Sequence, residues 1–208
     1  FPGYSPHHMG FAGTVTFSEG TLLAVIMDTI GSLARHGIKR YLIVNVHGGN
    51  TNIVNLAVQL AKREFNVMVA APSGPGGTAI GKAHVDRQKR YWDVHSGPTE
   101  TGTALHLFPE LVEMGRLDGW QAALSMHPKL MAFLDPERED HELVSQVFRA
   151  CVEPDTDEFT SNGIFGTNDP READPEEAKT RFEEKVSFLV EFIRIWNCLL
   201  YTSDAADE

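Results

Sequence analysis

The feature that most constrains this chain is a pair of apolar runs separated by a segment of helical period. "YLIVNV" at 41–46 and "NVMVAAP" at 66–72 each read as a buried strand. Between them Ile53, Leu56, Ala57, Leu60 and Ala61 recur at helical spacing, so the stretch is a β-α-β unit. The first run is expected to be buried on both faces, as strands of a parallel sheet are. Upstream, Ser18 can cap a helix whose Leu22, Leu23, Ile26, Ile30 and Leu33 fall on one face and which Gly37 ends. Downstream, Asp174 and Pro175 open a second long helix with Phe182, Val186, Leu189, Ile193 and Trp196 on its apolar face.

Less regular sequence lies between. Residues 74–81 read as a glycine-rich loop, "KAHVDRQKRYW" as a polar helix, and "ETGTALHLF" as a short helix. From about 115 to 170, scattered Pro, Gly and acidic residues read as loops and short elements. With 42% hydrophobic residues the 208-residue chain can bury one sizeable core, and one domain over 1–196 is the expectation. The tail "NCLLYTSDAADE" at 197–208 continues no amphipathic pattern and is set apart as unrelated or disordered.

Charge narrows the function classes. Eighteen Lys+Arg against 29 Asp+Glu give a formal charge of −11, which argues against nucleic acid or an anionic membrane surface as partner. A small molecule fits better. Cys151 and Cys198 are far apart and form no thiolate cage, a usage that suits the cytoplasm. No apolar run approaches ~18 residues, so no membrane span is expected.

The chemistry concentrates at strand exits, where ligands bind in open parallel sheets. His47 in "NVHGGN" stands at such an exit, and Gly48 and Gly49 let a ligand come close to the backbone. A hydrogen bond from the imidazole to a neighbouring carbonyl, with the glycines merely turning the chain, explains the hexapeptide equally well. In "YWDVHSGPTETG" (91–102), His95 and Glu100 flank a Ser-Gly-Pro turn. Glu100 also suits the first turn of a helix, where the dipole favours a carboxylate. An imidazole and a carboxylate five residues apart across a turn can nevertheless converge, one moving protons and the other binding metal.

"GYSPHHMGFAGTVTFSEGTL", "RYLIVNVHGGNTNIV" and "WDVHSGPTETGTALHLFPELV", in this order and spacing, resemble the creatininase family of metal-dependent amidohydrolases. "NGIFGTNDPREADPEEAKTRFEEKV" is similar to that family's C-terminal loop and helix. The resemblance implies a three-layer α/β fold, its mainly parallel sheet flanked by helices. It also implies two divalent ions, zinc or manganese, in the full-length parent, a small-molecule amide substrate and a homo-oligomer. His47 and Glu100 correspond to metal ligands, and His95 to the residue that transfers a proton. His7 and His8 fall in a loop beside the substrate, and Trp92, Asp93, Gly48 and Gly49 are expected to line the pocket.

Three departures stand against the resemblance. The Glu-x-His pair and the aspartate that complete the family's ligand set have no counterpart here, so the chain resembles a member lacking its N-terminal strand and loop. Val46 replaces a common glycine, and Gly49 stands where creatininase proper carries a carboxylate, which weakens creatinine as the substrate. The tail is the third. An inactive fragment or binding subunit, a deformylase and a small peptidase therefore stay open as alternatives. The remaining histidines have plainer readings: His36 as a helix C-terminal cation, and His84, His106, His127 and His141 as solvated or packed side chains. The acidic "ERED" at 137–140 reads as a solvated loop.

Overall fold

A computed structural model describes residues 2–72, 93–119, 139–140, 155–166 and 169–201. The expected loop at 74–81, the helix over "KAHVDRQKRYW" and Trp92 lie outside the described residues, as do His84, His127 and His141. Two compact units divide the chain, Phe1–Ser73 with Ala123–Phe165 and Gly74–Ala122 with Gly166–Glu208.

The first unit contains the β-α-β element and the helix before it. Helix α1, Glu19–Arg35, begins where Ser18 accepts a hydrogen bond from the Thr21 amide. It ends where His36 caps it and Gly37 takes φ +85°, a left-handed conformation that glycine adopts without steric cost. Strand β1, Arg40–Leu42, then pairs in parallel with β2, Met68–Ala70, across helix α2, Thr51–Phe65. Met27, Ile30, Tyr41, Ala57, Ala61 and Val67 form the core of this unit. The Tyr41 hydroxyl reaches that core without an orphaned donor, because it bonds the Ile38 carbonyl at 2.8 Å. Glycine at 31 makes room for the Phe65 ring, which a Cβ there would meet at 2.8 Å.

Two expectations need correction here. Only Tyr41 and Leu42 of the run at 41–46 have strand conformation, with Ile43 extending the pairing through its amide to Ala70. Nor is the run buried on both faces. Tyr41 and Ile43 face the core, whereas Val44 and Val46 are 52% and 93% exposed. Side chains alternate along a strand, and α1 and α2 both contribute to the core on the odd-numbered face. Leu56 likewise stands half-exposed on α2, where Ile53, Val54, Ala57 and Ala61 are the buried positions.

In the second unit, strand β3, Asp93–His95, leads through Ser96 and Gly97 into helix α3, Pro98–Leu107. Thr156–Phe159 forms a single helical turn, α4, in the first unit. Strand β4, Phe165–Gly166, pairs with β3, and its second residue begins the returning part of the second unit. Helix α5, Pro175–Tyr201, starts as its sequence predicts, with Asp174 Oδ1 accepting from the amides of Glu176 and Glu177. Its contact with α3 is close at Gly102, where a Cβ would meet the Asp174 carbonyl at 3.1 Å and the buried Ala178 at 3.4 Å.

Beyond Ala178 the helix departs from expectation. Phe182, Val186 and Ile193, assigned to a buried face, are exposed. The helix also continues to Tyr201, past Trp196 and into the segment set apart as a tail. Helical hydrogen bonding is local and does not require a buried stripe to continue.

Candidate active site

His47 sits between β1 and α2, immediately before the 3-10 turn Gly48–Asn50 that leads into the helix. Its Nε2 lies 2.9 Å from the main-chain carbonyl oxygen of Tyr4 and 2.9 Å from Ser5 Oγ. The plain reading of His47, an imidazole bonded to a carbonyl, is therefore present in the structure. Asn45 and Asn50, on either side of it, tie the same loop down. Tyr4 N donates to Asn50 Oδ1 at 2.8 Å, Asn50 Nδ2 donates to Asn45 Oδ1, and that oxygen also accepts from His47 N.

His7 and His8 come to the same place. The His7 ring lies parallel to His47 with centroids 5.8 Å apart, and His8 is 6.1 Å away. His8 is fixed from the other side, its Nδ1 being 2.8 Å from Oγ1 of the buried Thr156 in α4. Tyr4, Ser5 and Thr156 were not marked as site residues from sequence. The only signal for the first two is their adjacency to "PHH", and Thr156 is 148 residues from His8.

His95 closes β3, and Glu100 occupies the first turn of α3. His95 Nδ1 and Glu100 Oε1 are 3.7 Å apart, an ion pair when the ring is protonated. The other carboxylate oxygen accepts from the Ser96 amide at 2.7 Å, so Glu100 also satisfies an amide at the start of its helix. Ser96 takes φ +55°, a strained conformation for a residue with a Cβ, in the turn that places these two side chains together. Asp93 opens β3. His47 belongs to the first unit, and His95 and Glu100 to the second.

The donor chemistry suits a divalent cation only in part. An imidazole and a carboxylate are the ligand types that zinc and manganese accept. Among the described residues, however, no three His, Cys, Asp or Glu side chains gather into a group able to hold a metal. The His7 ring stacks on His47, and the His8 ring is tilted to both. His47 and Glu100 each offer a donor of an accepted type, and among the described residues no complete ligand set is gathered around either.

Comparison with known proteins decides the family. The profile of creatininase, described as creatinine amidohydrolase, matches residues 2–193. The chain belongs to the creatininase family. It is 32% identical over 121 residues to the mycofactocin precursor peptide peptidase of Mycobacterium ulcerans (strain Agy99), covering 58% of this chain and 42% of that protein. To the creatinine amidohydrolase of Pseudomonas putida it is 31% identical over 122 residues, covering 51% of this chain and 45% of that protein. The chain spans less than half the length of these relatives. Among solved structures it resembles a creatinine amidohydrolase (creatininase) with a TM-score of 0.64 at 21% identity, over 92% of this chain and 71% of that one. A manganese form of creatininase matches with a TM-score of 0.53 at 23% identity, over 88% of this chain and 66% of that one. The creatininase α/β fold expected from sequence is therefore the fold of this chain. No helix among the described residues is long and apolar enough to cross a membrane.

Proposed function

We propose that the full-length protein carrying this chain is a metal-dependent amidohydrolase that cleaves an amide-type C–N bond in a small substrate. The observation that carries the reading is the family match across 2–193, which includes His47, His95 and Glu100. His47 and Glu100 would hold a divalent ion, zinc or manganese. When bound, such an ion acidifies water and polarises a carbonyl. The chain's own contribution is proton handling. His95 stands at a strand exit with its Nδ1 3.7 Å from Glu100 Oε1, and its imidazole would carry a proton released by the attacking water. It would deliver that proton to the departing nitrogen, since an unprotonated amine is a poor leaving group.

One observation favours a peptide or other open-chain amide over creatinine. A Cβ at Gly49 would collide with the Tyr4 carbonyl and come within 2.6 Å of His47 Nε2. By resemblance, creatininase proper carries a carboxylate at this position, and here that side chain has no space. The peptidase relative from Mycobacterium ulcerans gives this reading its weight. A homo-oligomer and a cytoplasmic site of action belong to the same proposal, by analogy with the family.

The test is hydrolysis of creatinine, a formamide and short peptide amides, assayed side by side with the full-length protein. The expected result is turnover of one class that is lost on chelation and restored by zinc or manganese. Turnover indifferent to chelation, or none with any metal, would reject the proposal.

A further inference from the structure

We infer that the neutral imidazole of His47 is held as its Nε2–H tautomer by the main-chain carbonyl of Tyr4, leaving Nδ1 as the nitrogen it offers to the reaction centre. The inference rests on the reading of His47 as a metal ligand. It adds which atom binds and which residues fix it.

The argument starts from the two oxygens around Nε2. A carbonyl oxygen has lone pairs and no hydrogen, so its 2.9 Å contact with Nε2 is attractive only when the ring hydrogen is on that nitrogen. The other tautomer would set two lone pairs against each other at the same distance. Ser5 Oγ cannot decide the matter, because a hydroxyl turns to donate or accept as the ring requires. Nδ1, by contrast, makes no hydrogen bond among the described residues. With the hydrogen on Nε2, the free lone pair is on Nδ1. Ligating imidazoles are ordinarily oriented in this way, by donating their second nitrogen to a carbonyl or carboxylate.

The carbonyl is itself held in place. Tyr4 N is bonded to Asn50 Oδ1, the Tyr4 hydroxyl donates to Glu19 Oε1 at 2.6 Å, and Ser5 N donates to Thr16 Oγ1 at 2.7 Å. Anchors on α1, on the turn after β1 and in the opening loop thus fix one carbonyl over one ring. Gly49 makes the approach possible, since a Cβ there would occupy the space of the Tyr4 oxygen. Tyr4, Ser5 and Gly49 are positioning residues, acting through His47.

Long-range proton–nitrogen correlation spectra of the histidine-labelled chain, at a pH where the ring is neutral, read the tautomer directly. His47→Gln identifies the resonances. The expected pattern is a protonated Nε2 and an unprotonated Nδ1, retained in Ser5→Ala and shifted towards mixed tautomers in Gly49→Ala. An unprotonated Nε2 in the unaltered chain, or Gly49→Ala with an unchanged pattern, overturns the clamp. In the full-length protein, adding zinc chloride should then shift Nδ1 while Nε2 stays protonated; a shift at Nε2 overturns the assignment of the binding atom. No response at either nitrogen removes the ligand role, and with it the proposed function, while the clamp stands on its own spectrum.

Discussion

Replacing Glu100 by glutamine separates the two roles this residue combines. As a helix-starting residue, Glu100 accepts from the Ser96 amide at 2.7 Å and lies in the first turn of α3. Glutamine keeps an oxygen able to accept that bond but loses the charge. A hydrogen bond to a charged group contributes about 1.5–3 kcal/mol and a neutral one about 0.5–1.5, so the exchange costs roughly 1 kcal/mol. The helix-dipole term of about 0.3–1 kcal/mol arises from the same charge and overlaps with that figure. The pair with His95 adds at most about 1 kcal/mol, because the two side chains are 33% and 55% exposed and water screens them. The total is about 1–2 kcal/mol, a fall in Tm of several degrees for a chain of this size. Urea unfolding followed by circular dichroism measures this. Metal content and turnover of the full-length protein, measured on the same variant, should fall far more steeply, because glutamine is a much poorer ligand. A loss of stability above about 3 kcal/mol, or full metal content with full turnover, would refute the reasoning, since Glu100 would then be a structural residue alone.

Other outcomes follow from neighbouring groups. His95→Ala in the full-length protein should keep metal content near normal while kcat falls about 10²–10⁴-fold, and His47→Ala should lose metal and activity together; parallel metal analysis and kinetics check both. Asp174→Ala removes the acceptor for two amides at the start of α5 and should cost about 1 kcal/mol in urea unfolding. The Tyr4 hydroxyl, and after it the Glu19 backbone amide, hold the Glu19 carboxyl below its ordinary value. A lowered folded pKa means that the contribution of this pair is fully present above the unfolded pKa and disappears as pH falls through the folded one. Tyr4→Phe should therefore raise the Glu19 pKa, read by carbon-detected titration, and flatten the acid limb of the stability profile.

The sequence by itself determined the features whose causes lie within a few residues. Ser18 and Gly37 bound α1, and Asp174 with Pro175 begins α5, because caps act on amides two or three positions away. The β-α-β order was legible for the same reason, since period and turn chemistry are local properties. His47, His95 and Glu100 were recognisable as strand-exit residues, with the family motifs around them. Tertiary structure alone decided what His47 touches. A strand's alternation names two faces and cannot say which one the helices will cover, so the exposure of Val44 and Val46 was not legible. The apolar stripe of α5 likewise says that a face exists, and only packing shows that Phe182, Val186 and Ile193 stay exposed. The contacts of His47 with Tyr4 and Ser5 cross 43 and 42 residues, and that of His8 with Thr156 crosses 148. No period or spacing encodes such separations, because they arise when distant segments pack against one another and their hydrogen-bonding groups find partners in the folded chain.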